Sequence, residues 1–270
     1  MKQIAVLFVL ILFYGENQYV FGQQHLTPKQ DSIVTKHLKK GAWKYHYFTK
    51  EWDQHIEEAI AADSTIAYLW QQKGMPYFKK QKYEIGMQSL DRAVALDNSW
   101  LDYRAFMKCI FVKNYAAALT DFEASIQRDP NGYIMDHPYS FYMALCYLQL
   151  NQYPKAFELL SNRVTTVEKE KGTSWVHPSE LFYLGIAQFE LGDYNNAIQT
   201  FDKALALYPE FSDAHYYKGK CYECTGQTEA AEACLKQART DSDKGYTINE
   251  DSVIYEQYPY QVNWKMKKRS

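Results

Sequence analysis

From about Ile33 to Ala238, apolar side chains return every three or four positions and polar ones fill the gaps, which is the spacing of amphipathic helices. Gly and Pro fall mainly between these stretches, where helices turn or end. The clearest example lies late in the chain. Leu181, Leu184, Gly185 and Ala187 share one helical face, Gly192-Asp193-Tyr194 makes a turn, Ala197, Phe201 and Ala204 line a second helix, and Pro209 ends the unit. Small and large residues alternate for a physical reason. Gly185 and Ala197 let the two helices approach closely, while Leu181, Tyr194 and Phe201 fill the space between neighbouring pairs.

The unit repeats. Leu184-Gly185 returns 34 residues later as Lys218-Gly219, Gly192 as Gly226, Ala197 as Ala231, Phe201 as Leu235 and Ala204 as Ala238. The pattern can be followed backwards. A unit from Ala67 carries Trp70, Gly74, Tyr77, Tyr83, Gly86, Leu90 and Ala93, and one from Ser99 carries Tyr115, Ala118, Phe122, Ser125 and Pro130. The first helix of the Ser99 unit fits best if the turn before Asn114 is one residue short. A unit from His137 has Met143, Ala144, Tyr147, Tyr153, Ala156 and Leu160, and a degenerate first unit has Trp52, Ile56 and Ala59. Units therefore start near 33, 67, 99, 137, 178 and 212. Spacers are longer at 131–136 and 162–177, and the second holds Glu168-Lys169-Glu170-Lys171-Gly172, read as a solvated loop or helix extension.

This period and its small-large pattern resemble the tetratricopeptide repeat, a helix–turn–helix unit of 34 residues. The resemblance implies an all-α, right-handed superhelical solenoid of about six TPR-like hairpins over 33–245. It also implies binding rather than catalysis, because stacked repeats present one long surface.

The two ends depart from the period. Lys2, the unbroken apolar run Ile4–Tyr14 and Val20-Phe21-Gly22 read as a signal peptide over 1–22, cleaved near Gly22, with a polar leader over 23–32. The run is too short to span a bilayer as a helix, which needs about 20 residues; an uncleaved apolar anchor is the alternative. The expectation is an exported protein, periplasmic or secreted, with no transmembrane segment after signal removal. At the other end, 246–270 is expected to cap the last helix or line the groove. Asn249 or Asp251 would cap a short helix over Ser252–Gln257, Pro259 would stop it, and Tyr260–Trp264 alternates as an extended segment does.

Net charge is −2, so no basic face favours nucleic acid. The five cysteines are too few and too scattered for a disulfide scaffold. Cys221-x-x-Cys224 lacks a second ligand pair for zinc and the setting of a redox motif. Cys109, Cys146 and Cys221 take the small helical slot that Ala187 holds, so they read as packing residues. The seven histidines match no ligand motif, with His37, His46 and His55 nine apart. No HExxH, GxSxG, phosphate-binding loop or EF-hand pattern is present. The expectation is a non-enzyme with no catalytic residue, metal or cofactor. Gly74-Met75-Pro76 places a proline inside a predicted helix, as a packed kink or as an opening of the inner surface. Lys265, Lys267, Lys268 and Arg269 make a basic, solvated end.

In the resembling family the concave face is formed largely by the first helix of each pair. With the period fixed, the inward residues are Tyr68, Met75 and Phe78; Arg104, Lys108 and Phe111; Phe141, Leu145 and Leu148; Phe182, Ile186 and Phe189; and Tyr216 and Lys220. Such an aromatic trough is too apolar to stand open on a soluble chain. Its occupant is a protein or peptide segment, with Arg104 and Lys108 as candidates for a ligand carboxylate, or the chain's own tail in an assembly element of the cell envelope. Tight curvature that buries these residues against neighbouring repeats is the third reading.

Overall fold

The turn inside five of the six hairpins explains much of the architecture. In the second to sixth hairpins the position two residues before the second helix is Gln81, Lys113, Asn151, Gly192 and Gly226 in turn, and all five have positive φ, between 57° and 79°. A left-handed residue there lets the following N–H bond back to the helix just ended, as Gln152 N–H does to Tyr147 O and Asp193 N–H to Gln188 O. The chain then reverses into the next helix.

The computed structural model describes residues 26–264. The hairpins are α1 (Pro28–Val34, running on through a π turn) with α2 (Lys50–Ala62), α3 (Ala67–Lys79) with α4 (Tyr83–Leu96), and α5 (Leu101–Met107) with α6 (Tyr115–Arg128). They continue as α7 (Tyr139–Gln149) with α8 (Tyr153–Lys171), α9 (Pro178–Glu190) with α10 (Tyr194–Leu207), and α11 (Ser212–Cys224) with α12 (Thr228–Asp243). The fold is an all-α solenoid. A two-residue ladder, β1 (Tyr133–Ile134) with antiparallel β2 (His137–Pro138), folds the longer spacer before α7 and puts His137 opposite Ile134. The charged run at 168–172 extends α8, and Glu168 holds Lys203 of α10 at 2.8 Å. No described helix is long and apolar enough to cross a membrane. The predicted signal peptide lies outside the described residues.

The close-approach glycines behave as the small-large pattern requires. A Cβ on Gly185 would sit 2.6 Å from the Phe201 ring, and one on Gly219 would sit 2.9 Å from Leu235. Helix α3 runs unbroken through Pro76, and Gly74 lies against the Gly86 carbonyl.

Two local expectations need correction. The turn before Asn114 is not one residue short. Helix α5 continues as a π turn over Lys108–Val112, and Asn114 N–H reaches Lys108 O, one residue farther back than the matching bonds in other units. The helix after the repeats is also absent. Residues 251–256 form successive turns, with Val253 N–H on Glu250 O and Tyr255 N–H on Ser252 O. Ser252 (φ 66°) and Tyr260 (φ 60°) are left-handed, which breaks both the helix and the extended run.

Candidate functional site

The inner trough is occupied by the chain's own tail. After α12, Thr247 and Ile248 reach the first turn of α11, where the buried Asp213 carboxylate accepts from Thr247 Oγ1 (2.7 Å) and Ile248 N–H (3.0 Å). The chain then runs toward the N-terminal units. Tyr255 meets Tyr47 hydroxyl to hydroxyl at 2.9 Å, and Lys79 Nζ lies over its ring at 4.6 Å. Glu256 accepts from the Tyr83 hydroxyl and pairs with Lys113 at 3.6 Å, while Lys113 also reaches Gln257 O. The chain returns past Tyr183, whose hydroxyl donates to Pro259 O at 2.8 Å. It ends with Val262 N–H on the other Asp213 oxygen at 2.7 Å. One carboxylate thus closes both ends of a compact loop of the Ω type over 248–262. Burial pushes the Asp213 carboxyl above its ordinary range, against the opposing pull of its three donors.

A second polar anchor sits midway. His137 is fully buried, stacked on Phe141 with ring centroids 3.8 Å apart. Its Nε2 lies 3.1 and 3.0 Å from the two oxygens of Glu250, and its Nδ1 lies 3.7 Å from Glu180 Oε1. Arg163 Nε donates to that same Glu180 oxygen at 3.0 Å. Burial alone would lower the imidazole pKa, but the two carboxylates outweigh it and hold it at about 9. His177, the N-cap of α9, stands edge-on to His137 at 4.8 Å, with Nδ1 3.7 Å from Glu250 Oε1. Burial lowers its pKa.

The inner-face residues named from the sequence divide into groups. Met75, Phe78 and Phe111 line a cavity of about 240 Å³ beneath the tail, closed by Ser252 and Tyr255. Tyr216 meets Trp264 of the tail at 5.7 Å between ring centroids. Tyr68 is stacked on Trp100, and Phe189 packs on Tyr194 and Tyr217. Phe141, Leu145, Leu148, Phe182 and Ile186 are completely buried with the tail in place. The Phe182 ring lies against Phe201 and Phe211, between helices rather than on the trough surface. Lys220 pairs with Glu223 on its own helix.

Arg104 and Lys108 are corrected outright. Arg104 grips Asp121 of α6 with two bonds, at 2.8 and 2.9 Å, and Asp91 of α4 at 2.9 Å, while Lys108 Nζ sits 2.6 Å from Asp121. Both face second helices, on the outer side of the stack. Tyr103 and Met107 line the cavity instead, because the π turn shifts the register that a shortened turn assumed. The residues that hold the tail, Asp213, His137, Lys113 and Tyr183, escaped the sequence reading. An acidic residue on an otherwise apolar inner face was the one available signal, at Asp213.

A family model of the tetratricopeptide repeat matches residues 188–244. Among solved structures, a tetratricopeptide repeat protein from Parabacteroides merdae ATCC 43184 is 15% identical, with 80% of each chain covered and a TM-score of 0.63. Residues 188–244 carry the tetratricopeptide repeat, and the chain as a whole has the fold of tetratricopeptide-repeat proteins. PilW, a widely conserved type IV pilus biogenesis factor, shares the tetratricopeptide-repeat fold at 14% identity and a TM-score of 0.62, over 85% of this chain and all of that one. YrrB, a TPR protein with an unusual peptide-binding site, is 19% identical over 70% of this chain and 92% of its own, with a TM-score of 0.50. No curated protein matches the chain. Tetratricopeptide repeats generally serve as non-catalytic protein-interaction scaffolds.

Proposed function

We propose that this protein is an exported, non-enzymatic scaffold of the cell envelope whose trough is closed by its own C-terminal loop. The observation that carries this reading is the double closure of the loop on Asp213, with Ile248 and Val262 giving their N–H groups to one buried carboxylate. A trough filled this way acts as part of the core, and assembly contacts fall to the outer face and the loops. The apolar run Ile4–Tyr14 supports export.

A second reading has its own observation. The middle of the loop is loosely seated: Ile254 is 81% exposed and a cavity remains under Tyr255. That segment is the place where a partner peptide would compete. The peptide-binding site named for YrrB supports this reading.

A chain cut after Gly245 tests both readings, with thermal melting, binding of a dye for exposed apolar surface, and titration with a synthetic peptide of residues 246–264. The expected result is a lower melting temperature, new dye binding and recapture of the peptide by the truncated chain but not by the intact one. Unchanged melting with no new dye binding shows that the tail packs on nothing. Export is read separately, from an intact mass that places the start near Gln23.

A further inference from the structure

Three segments distant in sequence converge beneath the loop. β2 and the entry to α7 bring His137, the N-cap of α9 brings His177, and the tail brings Glu250. Their ligating atoms all lie within 4.8 Å of one another. We propose that His137, His177 and Glu250 form a site for a divalent transition metal of the zinc class, which clips the C-terminal loop into the trough. The proposal rests on the reading that the loop occupies the trough.

The geometry suits such an ion. With metal–ligand distances of about 2.0–2.1 Å, tetrahedral geometry sets neighbouring ligand atoms roughly 3.3 Å apart. Here His137 Nε2 lies 3.0 and 3.1 Å from the Glu250 oxygens, and His177 Nδ1 lies 3.7 Å from Glu250 Oε1. The three groups therefore need small movements rather than rearrangement. Two imidazoles and one carboxylate make a borderline-soft donor set that suits zinc better than calcium or magnesium, which prefer all-oxygen shells.

The surroundings match what a metal-bound histidine requires. Such a ligand donates its other ring N–H to a carboxylate or carbonyl, which fixes the tautomer. The remaining nitrogen of His137, Nδ1, is fully buried, has no hydrogen-bond partner at normal distance, and lies 3.7 Å from Glu180 Oε1. Glu180 is itself buried and oriented by Arg163, and its Oε2 is also without a partner. Two unsatisfied buried atoms on neighbouring side chains are costly in a site meant only as a salt bridge. When metal takes Nε2, the Nδ1–H is free to close on Glu180 and satisfies one of them. His177, whose side chain is 42% exposed, leaves the fourth position open to water. Its Nδ1 accepts a long 3.3 Å bond from Ser179 N–H, which a small ring rotation releases.

The test uses the chain from Gln23 onward, purified without a histidine tag and stripped with chelator. Cobalt(II) titration reports tetrahedral nitrogen–oxygen ligation by its visible bands, and zinc is titrated in competition. One binding event is expected to weaken at least tenfold in His177→Ala and in Glu250→Gln. Glu180→Gln should weaken it about tenfold while leaving the stoichiometry intact. His55→Ala, in the separate, partly buried group of His37, His55 and Glu58, should leave that event unchanged. His177 and Glu180 variants are checked for native melting first, so a lost signal is not lost fold. Limited proteolysis of the tail in chelator reads docking by itself. A tail protected in chelator with no cobalt bands in the intact chain leaves the loop in the trough and overturns the metal site. Binding that is indifferent to both His177→Ala and Glu250→Gln overturns it as well.

Discussion

Replacing Asp213 with Ala removes the one acceptor that closes the loop at both ends. A buried backbone N–H of Ile248, a part-buried one of Val262 and the Thr247 hydroxyl lose their partner. Bonds to a charged acceptor contribute about 1.5–3 kcal/mol each, and an unpaired buried donor costs about 1–3 kcal/mol. The gain is not the full sum, because the carboxylate itself is poorly solvated where it stands, as its raised pKa indicates. A net loss of about 2–4 kcal/mol follows. In a repeat domain of this size that corresponds to roughly 4–16 °C in melting temperature, limited by the docking free energy of the loop, since the loop can leave before the helices melt. Asp213 also lies in the first turn of α11, where a negative charge on the helix N-terminus contributes about 0.3–1 kcal/mol on its own. A double-mutant cycle separates the two roles. The substitution is made in the full chain and in a chain cut after Gly245, and both are melted in denaturant. In the truncated background only the helix term should remain. A cost that is equal in the two backgrounds, within about 0.5 kcal/mol, refutes the clamp and assigns Asp213 to α11 alone.

Other outcomes follow from single contacts. Gly185→Ala places a Cβ 2.6 Å from the Phe201 ring and should lower stability by about 1–3 kcal/mol, measured by denaturant unfolding. Gly172→Ala meets no neighbour, so any loss there reflects backbone strain at φ 94° and ψ 160°, a region essentially restricted to glycine, and should be about 1–3 kcal/mol. Asp121→Ala leaves Arg104 and Lys108 without their shared carboxylate and should cost about 2–3 kcal/mol, whereas Asp91→Ala, on an exposed partner, should cost under about 1 kcal/mol. Among the thiols, Cys224 is exposed and should react first with a thiol reagent, while Cys109, Cys146 and Cys221 should react only on unfolding. Burial pushes the Cys221 thiol up to about 12, which removes the reactive thiolate at neutral pH. Fast modification of Cys221 in the folded protein contradicts its packing.

The hairpins were legible because their signal is local. Gly185 against Phe201 and Gly219 against Leu235 are sixteen residues apart, within one repeat, and the period multiplies the evidence. The inner surface was less legible because it depends on rotational register. A single extra residue wound into the π turn at Lys108–Val112 moves Arg104 and Lys108 off the trough and brings in Tyr103 and Met107. Within α9 the residue that bonds the tail is Tyr183, one position beyond Phe182, and within α11 Tyr217 meets Tyr260 beside the contact of Tyr216 with Trp264. The grouping of His137, His177 and Glu250 was not legible at all. It depends on a two-residue ladder, a helix cap and a returning tail, and no spacing rule links those three.

The polar groups in the trough decide what it can hold. An apolar trough alone accepts many apolar segments, because burial of such side chains is non-directional. This one carries a buried carboxylate at Asp213, a buried imidazole at His137 and an ammonium at Lys113, each matched by the tail: two N–H groups, the Glu250 carboxylate, and Gln257 O with Glu256. A foreign segment that displaced the loop would strand those groups unless it supplied the same chemistry at the same spacing, and a stranded buried charge costs several kcal/mol. Selection is therefore strongest near Asp213 and His137, where the partners are buried. It is weakest between Ser252 and Gln257, where Ile254 projects into solvent and the cavity remains. A competitor that takes only that middle stretch keeps both buried anchors intact. An acidic segment with an aromatic residue fits that stretch, since it could replace Glu256 on Lys113 and Tyr83 and Tyr255 beneath Lys79. A peptide built on residues 252–257 should bind a chain in which Tyr255 and Glu256 are both Ala more tightly than it binds the intact protein. Equal affinity for the two would place exchange elsewhere on the molecule.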